Sequence, residues 1–174
     1  TRMSQQFPGL PKPLIPVNGV PILQRQIQEC KKFGLNKILV LLHFEAEKIM
    51  NYFGDGSSFG VDLSYEIERT PLGTGGAMLS VLDKLSPTFC VLYADVYSDV
   101  DLHGLLQFHI TSKADVTLVA HPNSHPYDSD ILVLDGDDWV FDISAHPHKT
   151  GRYFRNMVNA AMYIFEKAAL NEVE

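Results

Sequence analysis

Three groups of residues in this chain have the types and spacing for work on phosphates. Lys12 stands between Pro11 and Pro13, and Arg2 lies upstream on the same segment. Each proline locks its own φ and restricts the residue before it, so Lys12 has a set backbone beneath a mobile ammonium. Arg2 adds a planar fork suited to phosphate oxygens. Two cations on one proline-braced segment can grip a polyphosphate, and the same residues also describe a solvated basic turn feeding a strand. In Pro71-Leu72-Gly73-Thr74-Gly75-Gly76-Ala77 the glycines let the backbone approach a ligand closely, because glycine has no side chain and tolerates positive φ. An ordinary strand-to-helix turn would use them too. Asp95 closes the apolar run Phe89 to Tyr93, a position that suits a metal ligand, a helix N-cap or a solvated turn acid. Asp99 and Asp101, just beyond it, read as the opening of the next helix.

The elements that must carry these residues follow from periodicity. Asn18-Gly19 predicts a turn, and Pro21 suits a helix's first turn. Ile22, Leu23, Ile27, Cys30 and Phe33 recur at helical spacing, with Gly34 as the stop. Lys37 to Leu42 predicts a strand covered on both faces, Glu45 to Phe53 a helix with Ile49, Met50 and Phe53 turned inward, and Leu63, Tyr65 and Ile67 a strand with one wetter face. The glycine loop leads into a helix carrying Met78, Val81, Leu82 and Leu85, closed by Pro87. A buried strand then ends at Asp95, a helix carries Leu102, Leu105, Leu106 and His109, and a strand runs from Val116 to Ala120. This alternation predicts right-handed crossovers and a mostly parallel sheet, with functional loops at the carboxyl ends of its strands. Beyond His121, Ile131 to Leu134 and Trp139 to Ile143 flank Asp135-Gly136-Asp137-Asp138, a hairpin signature, and Met157 to Phe165 is a last long strand.

Composition narrows the partners. With 174 residues there is room for one domain with a substantial core. A balance of 14 Lys+Arg against 21 Asp+Glu, net −7, argues against a nucleic-acid surface built on bulk charge. No run approaches the roughly 18 apolar residues of a membrane span. Cys30 and Cys90 fall inside apolar patterns, as expected of buried thiols in a reducing, cytoplasmic compartment.

Together, Thr1-Arg2 with Pro11-Lys12-Pro13-Leu14, the glycine loop Pro71 to Ala77, and Val91-Leu92-Tyr93-Ala94-Asp95-Val96 resemble, in order and spacing, three signatures of the sugar-1-phosphate nucleotidyltransferases. The resemblance implies a three-layer Rossmann-like α/β/α fold of the nucleotide-diphospho-sugar transferase type, with a mostly parallel central sheet and a small β-hairpin region. It implies one nucleotidyltransferase domain over residues 1–174, with the family's glycine-rich first strand and loop expected before Thr1 and its last metal ligand expected after Glu174. The reaction implied joins a nucleoside triphosphate to a sugar 1-phosphate, giving a nucleotide-sugar and pyrophosphate, with Mg2+ as cofactor. Tyr52 to Gly60, Glu68 and Pro71 to Ala77 look most like the branch that makes GDP-heptose from D-glycero-α-D-manno-heptose 1-phosphate, a precursor for lipopolysaccharide, capsule or S-layer glycan. Mannose 1-phosphate guanylyltransferases and thymidylyl- or uridylyltransferases of glucose or muramate 1-phosphate are similar to it as well. A non-catalytic, nucleotide-sugar-sensing subunit of the same fold is the alternative, and a homodimer is implied by analogy.

Carried over residue by residue, the resemblance makes Arg2, Lys12 and Asp95 catalytic, with Asp95 on the metal. Thr1, Arg2, Glu68, Gly73, Thr74 and Gly75 would contact the nucleotide. Glu68 could accept from guanine, or form a surface ion pair instead. Asn159, in Asn159-Ala160-Ala161-Met162-Tyr163, would contact sugar hydroxyls, or be a strand residue satisfied by backbone. The chain departs from the pattern at Ala94 and Ala161, where the family has glycine, at Asp130, and at Ser144-Ala145-His146-Pro147-His148-Lys149, where many members have Glu-Lys-Pro. His146, His148 or Lys149 could take over the sugar phosphate, or the loop could be solvated and inert; His43, His103, His109, His121 and His125 lack metal-ligand spacing.

Overall fold

Asn18 and Gly19, both at positive φ (50° and 78°), turn β1 (Pro16–Val17) back on β2 (Val20–Pro21), the two-residue solution that matches strand twist. The computed structural model that shows this describes residues 7–148 and 154–171. Thr1, Arg2 and Lys149 lie outside the described residues. Helix α1 (Ile22–Lys32) follows directly and buries Ile22, Leu23, Gln26, Ile27 and Cys30. It ends as expected: Gly34 takes φ 77°, its N–H bonds to the Lys31 carbonyl at 3.0 Å, and the Leu35 N–H reaches back to Cys30 at 2.9 Å.

Strand β3 (Lys37–Leu42), helix α2 (Ala46–Phe53) and strand β4 (Asp62–Ile67) form the expected crossover unit, with β3 and β4 parallel from Lys37↔Asp62 to Leu42↔Ile67. The main core lies here: Leu14, Leu23, Ile27, Val40, Leu42, Ile49, Phe53 and Leu63 pack together, and Ala94 is packed against them.

The helix expected from the glycine loop to Pro87 divides. Helix α3 covers only Gly73–Leu79, and a 3-10 turn takes Leu82–Lys84 after Val81 leaves helical space at φ −119°. Glycines at Gly73, Gly75 and Gly76 each weaken a helix by about 1 kcal/mol, and the Ser80 hydroxyl bonds back to the Ala77 carbonyl at 2.7 Å, so nothing local carries the helix on. Val81, 1% exposed, is anchored in the core instead.

Strand β5 (Thr88–Leu92) leads to the Asp95 turn. Helix α4 (Leu102–Ser112) is capped by Asp101, whose carboxylate accepts the His103 N–H at 3.0 Å, as expected of that residue. Strand β6 (Val116–His121) follows, then the hairpin β7 (Ile131–Leu134) and β8 (Val140–Ser144), whose turn is held by Asp135 accepting the Asp137 and Trp139 N–H groups, each at 2.9 Å. The last strand, β9 (Val158–Glu166), inserts between β5 and β6 and runs antiparallel to both, before the short helix α5 (Lys167–Leu170). β5 and β6 therefore point the same way without being neighbours. The α/β class stands, and the antiparallel strand is a feature that strand-helix alternation does not carry. Among the described residues no helix is long and apolar enough to cross a membrane.

Where α4, β5, β6 and β9 meet, His109 is 2% exposed, with Nδ1 2.8 Å from Thr117 Oγ1 and Nε2 3.2 Å from Glu166 Oε1. The Thr88 hydroxyl donates to the same Glu166 oxygen at 2.8 Å. The Thr88 hydroxyl first, and the His109 ring second, hold the Glu166 carboxyl below its ordinary range. A depressed folded-state value means the contribution is whole above the unfolded carboxylate range, near pH 4.3, and is lost as pH falls through the lower, folded value. Thermal melts should therefore show Glu166→Gln trailing the parent protein at neutral pH, with the gap narrowing as pH drops below about 4; a gap independent of pH would refute this.

Candidate functional site

Lys12 begins a 3-10 turn (Lys12–Leu14) entered from Pro11 at φ −64° and ψ 144°, while Leu14 and Ile15 are buried beneath it. That anchoring turns the lysine stem away from the core. Asp95 belongs to a tight turn at the carboxyl end of β5, closed by the Val96 N–H on the Tyr93 carbonyl at 3.0 Å. The fold brings these two together across 83 positions of sequence: Lys12 Nζ lies 3.1 Å from Asp95 Oδ2. Their side chains are 52% and 35% exposed. An ion pair so open is worth about 0–1 kcal/mol to folding, so it is easily exchanged for other partners.

A cleft of about 290 Å³ opens over the pair, lined by Lys12, Pro13, Thr74, Tyr93, Ala94 and Asp95. Thr74 reaches it from the first turn of α3, and its hydroxyl accepts from Tyr93 Oη at 3.3 Å. Gly73, immediately before, has φ 72°, a left-handed conformation costly to any residue with a Cβ, and an added Cβ there or at Gly75 would meet nothing within 4 Å. The glycine loop is thus open toward solvent. Tyr93, first residue of the Asp95 turn, and Pro13 line the cleft as well, and neither is singled out from the sequence for a role there.

Glu68 lies at the foot of the glycine loop. Its N–H bonds to the Leu42 carbonyl at 2.7 Å, its own carbonyl contacts His43 Nδ1 at 2.9 Å, and its Oε1 accepts the Leu72 N–H at 3.1 Å. Among the described residues Glu68 makes no ion pair: its carboxylate holds the Leu72 N–H within the loop, and its backbone N–H joins the loop to β3. Asn159 is likewise occupied, with Oδ1 accepting the Ala161 N–H at 2.9 Å and Nδ2 donating to Tyr163 Oη. Tyr163 stands 6.3 Å from Tyr93, ring centre to ring centre, so a line of contacts runs from Thr74 through both tyrosines to Asn159.

Ala161 explains a local irregularity. It holds φ 59°, which costs a residue with a Cβ about 1–2 kcal/mol, where β9 slips register against β6 between Leu118↔Tyr163 and Ala120↔Asn159. The bulge keeps the left-handed geometry that glycine would adopt freely.

The histidine loop is fastened elsewhere. The His146 N–H donates to Asp130 Oδ1 at 2.8 Å, and its Nδ1 contacts the Tyr127 carbonyl at 2.8 Å. His148 is held through Nε2 by the Pro126 carbonyl at 3.2 Å and through Nδ1 by Ser144 Oγ at 3.2 Å. Asp130 thereby has a structural partner, and neither histidine lines the Lys12–Asp95 cleft. Among the described residues, Lys12, Thr74 and Asp95 are the predicted ones that the fold gathers at this cleft.

No group of three or more His, Cys, Asp or Glu that could cage a metal exists among the described residues. Asp95 alone, beside a cation and an open cleft, fits a hard divalent ion that shares one carboxylate with phosphate oxygens. It does not fit a closed protein cage.

A family model described as Nucleotidyl transferase matches residues 8–174. The mannose-1-phosphate guanylyltransferase of Mycobacterium tuberculosis is 32% identical over 174 residues, covering 99% of this chain and 48% of that protein. The D-glycero-alpha-D-manno-heptose 1-phosphate guanylyltransferase of Aneurinibacillus thermoaerophilus is 29% identical over 168 residues, covering 96% of this chain and 70% of that protein. The chain spans about half the length of the mannose-1-phosphate guanylyltransferases it matches. The crystal structure of HddC from Yersinia pseudotuberculosis superposes with a TM-score of 0.77 at 23% identity, over 94% of this chain and 70% of that one, and shares the α/β fold.

Proposed function

Because the chain belongs to the nucleotidyl transferase family, we propose that it transfers a guanylyl group from GTP to a sugar 1-phosphate of α-manno configuration, D-glycero-α-D-manno-heptose 1-phosphate first and mannose 1-phosphate second. The observation that carries the reading is Lys12 Nζ at 3.1 Å from Asp95 Oδ2 in a cleft shared with Thr74 of the glycine loop. Both curated relatives act on manno-configured 1-phosphates and are guanylyltransferases by name. Tyr52 to Gly60, with Glu68 and the glycine loop, supports heptose over mannose.

In this reaction an oxygen of the sugar phosphate attacks the α-phosphorus of GTP. A new P–O bond forms as the bond to the bridging oxygen of pyrophosphate breaks. The two reactants are anions that repel each other, so the protein's task is alignment and charge cover. Without substrate Lys12 and Asp95 neutralise each other; with phosphates in the cleft, Lys12 would turn its ammonium to the groups being joined. Asp95 would hold a divalent cation, Mg2+ by its preference for one or two carboxylates with phosphate oxygens, which when bound covers charge on the α-phosphate and the leaving group. Gly73, Thr74 and Gly75 would line the nucleotide, and Glu68 would act there by setting the loop, with its remaining oxygen toward guanine. Thr1 and Arg2 would grip the triphosphate. Asn159 would meet sugar hydroxyls by exchanging its Tyr163 partner, and His146 and Lys149 would serve the sugar phosphate after movement of their loop toward the cleft.

The free thiols support a reducing compartment, the cytoplasm. Burial pushes Cys30 up to about 11 and Cys90 up to about 12, so both stay protonated and inert at neutral pH. A homodimer belongs to the proposal by analogy.

The test is pyrophosphate release by the full-length protein with magnesium, across GTP, UTP, dTTP, CTP and ATP, each offered heptose, mannose, glucose and amino-sugar 1-phosphates. Turnover confined to GTP with a manno-configured 1-phosphate is the expected result. Turnover with another pair overturns the specificity. Silence throughout, with a nucleotide-sugar still raising the melting temperature, overturns the enzyme in favour of a sensing subunit.

A further inference from the structure

Gln26 is a polar residue on the apolar side of α1, buried among Ile22, Leu23, Ile27 and Cys30 and only 9% exposed itself. A buried primary amide must find partners for its N–H groups, and here they are specific. Nε2 donates to the Tyr93 carbonyl at 2.6 Å and also to the Val96 carbonyl. Those carbonyls belong to the first and last residues of the turn whose third residue is Asp95. Arg25, next to it on α1, donates from Nε and Nη2 to the Val17 carbonyl at 3.1 and 2.5 Å and lies 5.8 Å from the centre of the Tyr97 ring. The N–H of Ile22, the first residue of α1, bonds to the Ile15 carbonyl at 3.1 Å. One helix thus grips the segment leaving the Lys12 turn and the turn carrying Asp95.

We propose that Gln26 is a positioning residue for nucleotidyl transfer: its two amide donors hold the Asp95 turn against α1 and so set the carboxylate's place relative to Lys12. This rests on the reading of Lys12 and Asp95 given above. Gln26 is not among the residues that line the Lys12–Asp95 cleft. An apolar side chain of similar volume would fill its space but take the amide donor from both carbonyls, leaving Tyr93 with the Val96 N–H alone, and a glutamate would set a carboxylate against them. Displacements of about 1 Å at such a site can cost about 10²-fold in rate without weakening binding to match.

The experiment compares the full-length protein with Gln26→Leu and Gln26→Glu, reading kcat, both KM values and backbone hydrogen exchange. In both variants kcat should fall about 10- to 100-fold while KM for GTP stays within about twofold. Exchange should accelerate in residues 94–98 while protection in β3 and α1 is kept. A kcat within twofold of the parent, or exchange rising equally through β3 and α1, would overturn the proposal, the second because it marks a packing role alone. If the parent protein turns over no substrate pair, the functional reading fails by itself, and the exchange at 94–98 still decides whether Gln26 holds the turn.

Discussion

Lys12→Ala is expected to lower kcat by roughly 10²- to 10³-fold, about 3–4 kcal/mol of barrier, while leaving the melting temperature nearly unchanged. The two halves of this expectation have separate physical grounds. Lys12 is half exposed and its ion pair with Asp95 contributes little to folding, so truncation costs the fold next to nothing. In the transfer step the same ammonium would face charge developing between two phosphates inside the cleft, where a preorganised cation is worth far more than in open water. Asp95→Asn should cost a comparable factor, and the double variant should fall well short of the product of the two, since residues acting as a unit are not additive. Lys12→Arg should rescue poorly, because a planar fork does not replace a compact point charge. The check is pyrophosphate release measured beside thermal melts. A Lys12→Ala variant that keeps more than a tenth of the parent kcat would refute the assignment.

Phe53→Ala should be the most damaging single truncation in the core, at about 3–5 kcal/mol. Phe53 is 2% exposed at the end of α2, with the Phe59 ring 5.4 Å and the Tyr52 ring 4.8 Å away, centre to centre. Gly54 follows at positive φ and its N–H bonds to the Met50 carbonyl at 2.8 Å, so the backbone at this point is tied and cannot collapse into the void. Denaturant unfolding of the full-length protein should show a lower midpoint at unchanged slope. A loss below about 1.5 kcal/mol would mean that neighbouring rings refill the space.

Much of this organisation is local and was therefore open to reading. The Asn18-Gly19 turn, the Gly34 helix stop, the Asp101 cap and the β7–β8 hairpin each depend on residues within a few positions of one another. So do the exposed perch of Lys12 between prolines and the placing of Asp95 at a strand's end. The early end of α3 belongs with these in principle, since three glycines weaken it, but the burial of Val81 that completes the break is tertiary.

The tertiary structure alone decided who meets whom. Strand direction depends on which edges the folded sheet leaves open, so periodicity cannot show that β9 enters antiparallel between β5 and β6. Hydrogen-bond partners are settled within about 3 Å, after the chain has closed. That is why Glu68 binds its own loop, Asn159 is paired with Tyr163 and Asp130 secures the His146 backbone. The same closure brings Lys12 to Asp95 across 83 positions and sets Gln26 under the Asp95 turn. Residue types pointed to phosphate chemistry, through charge, geometry and backbone freedom, and long-range packing chose which of those residues stand together at the cleft.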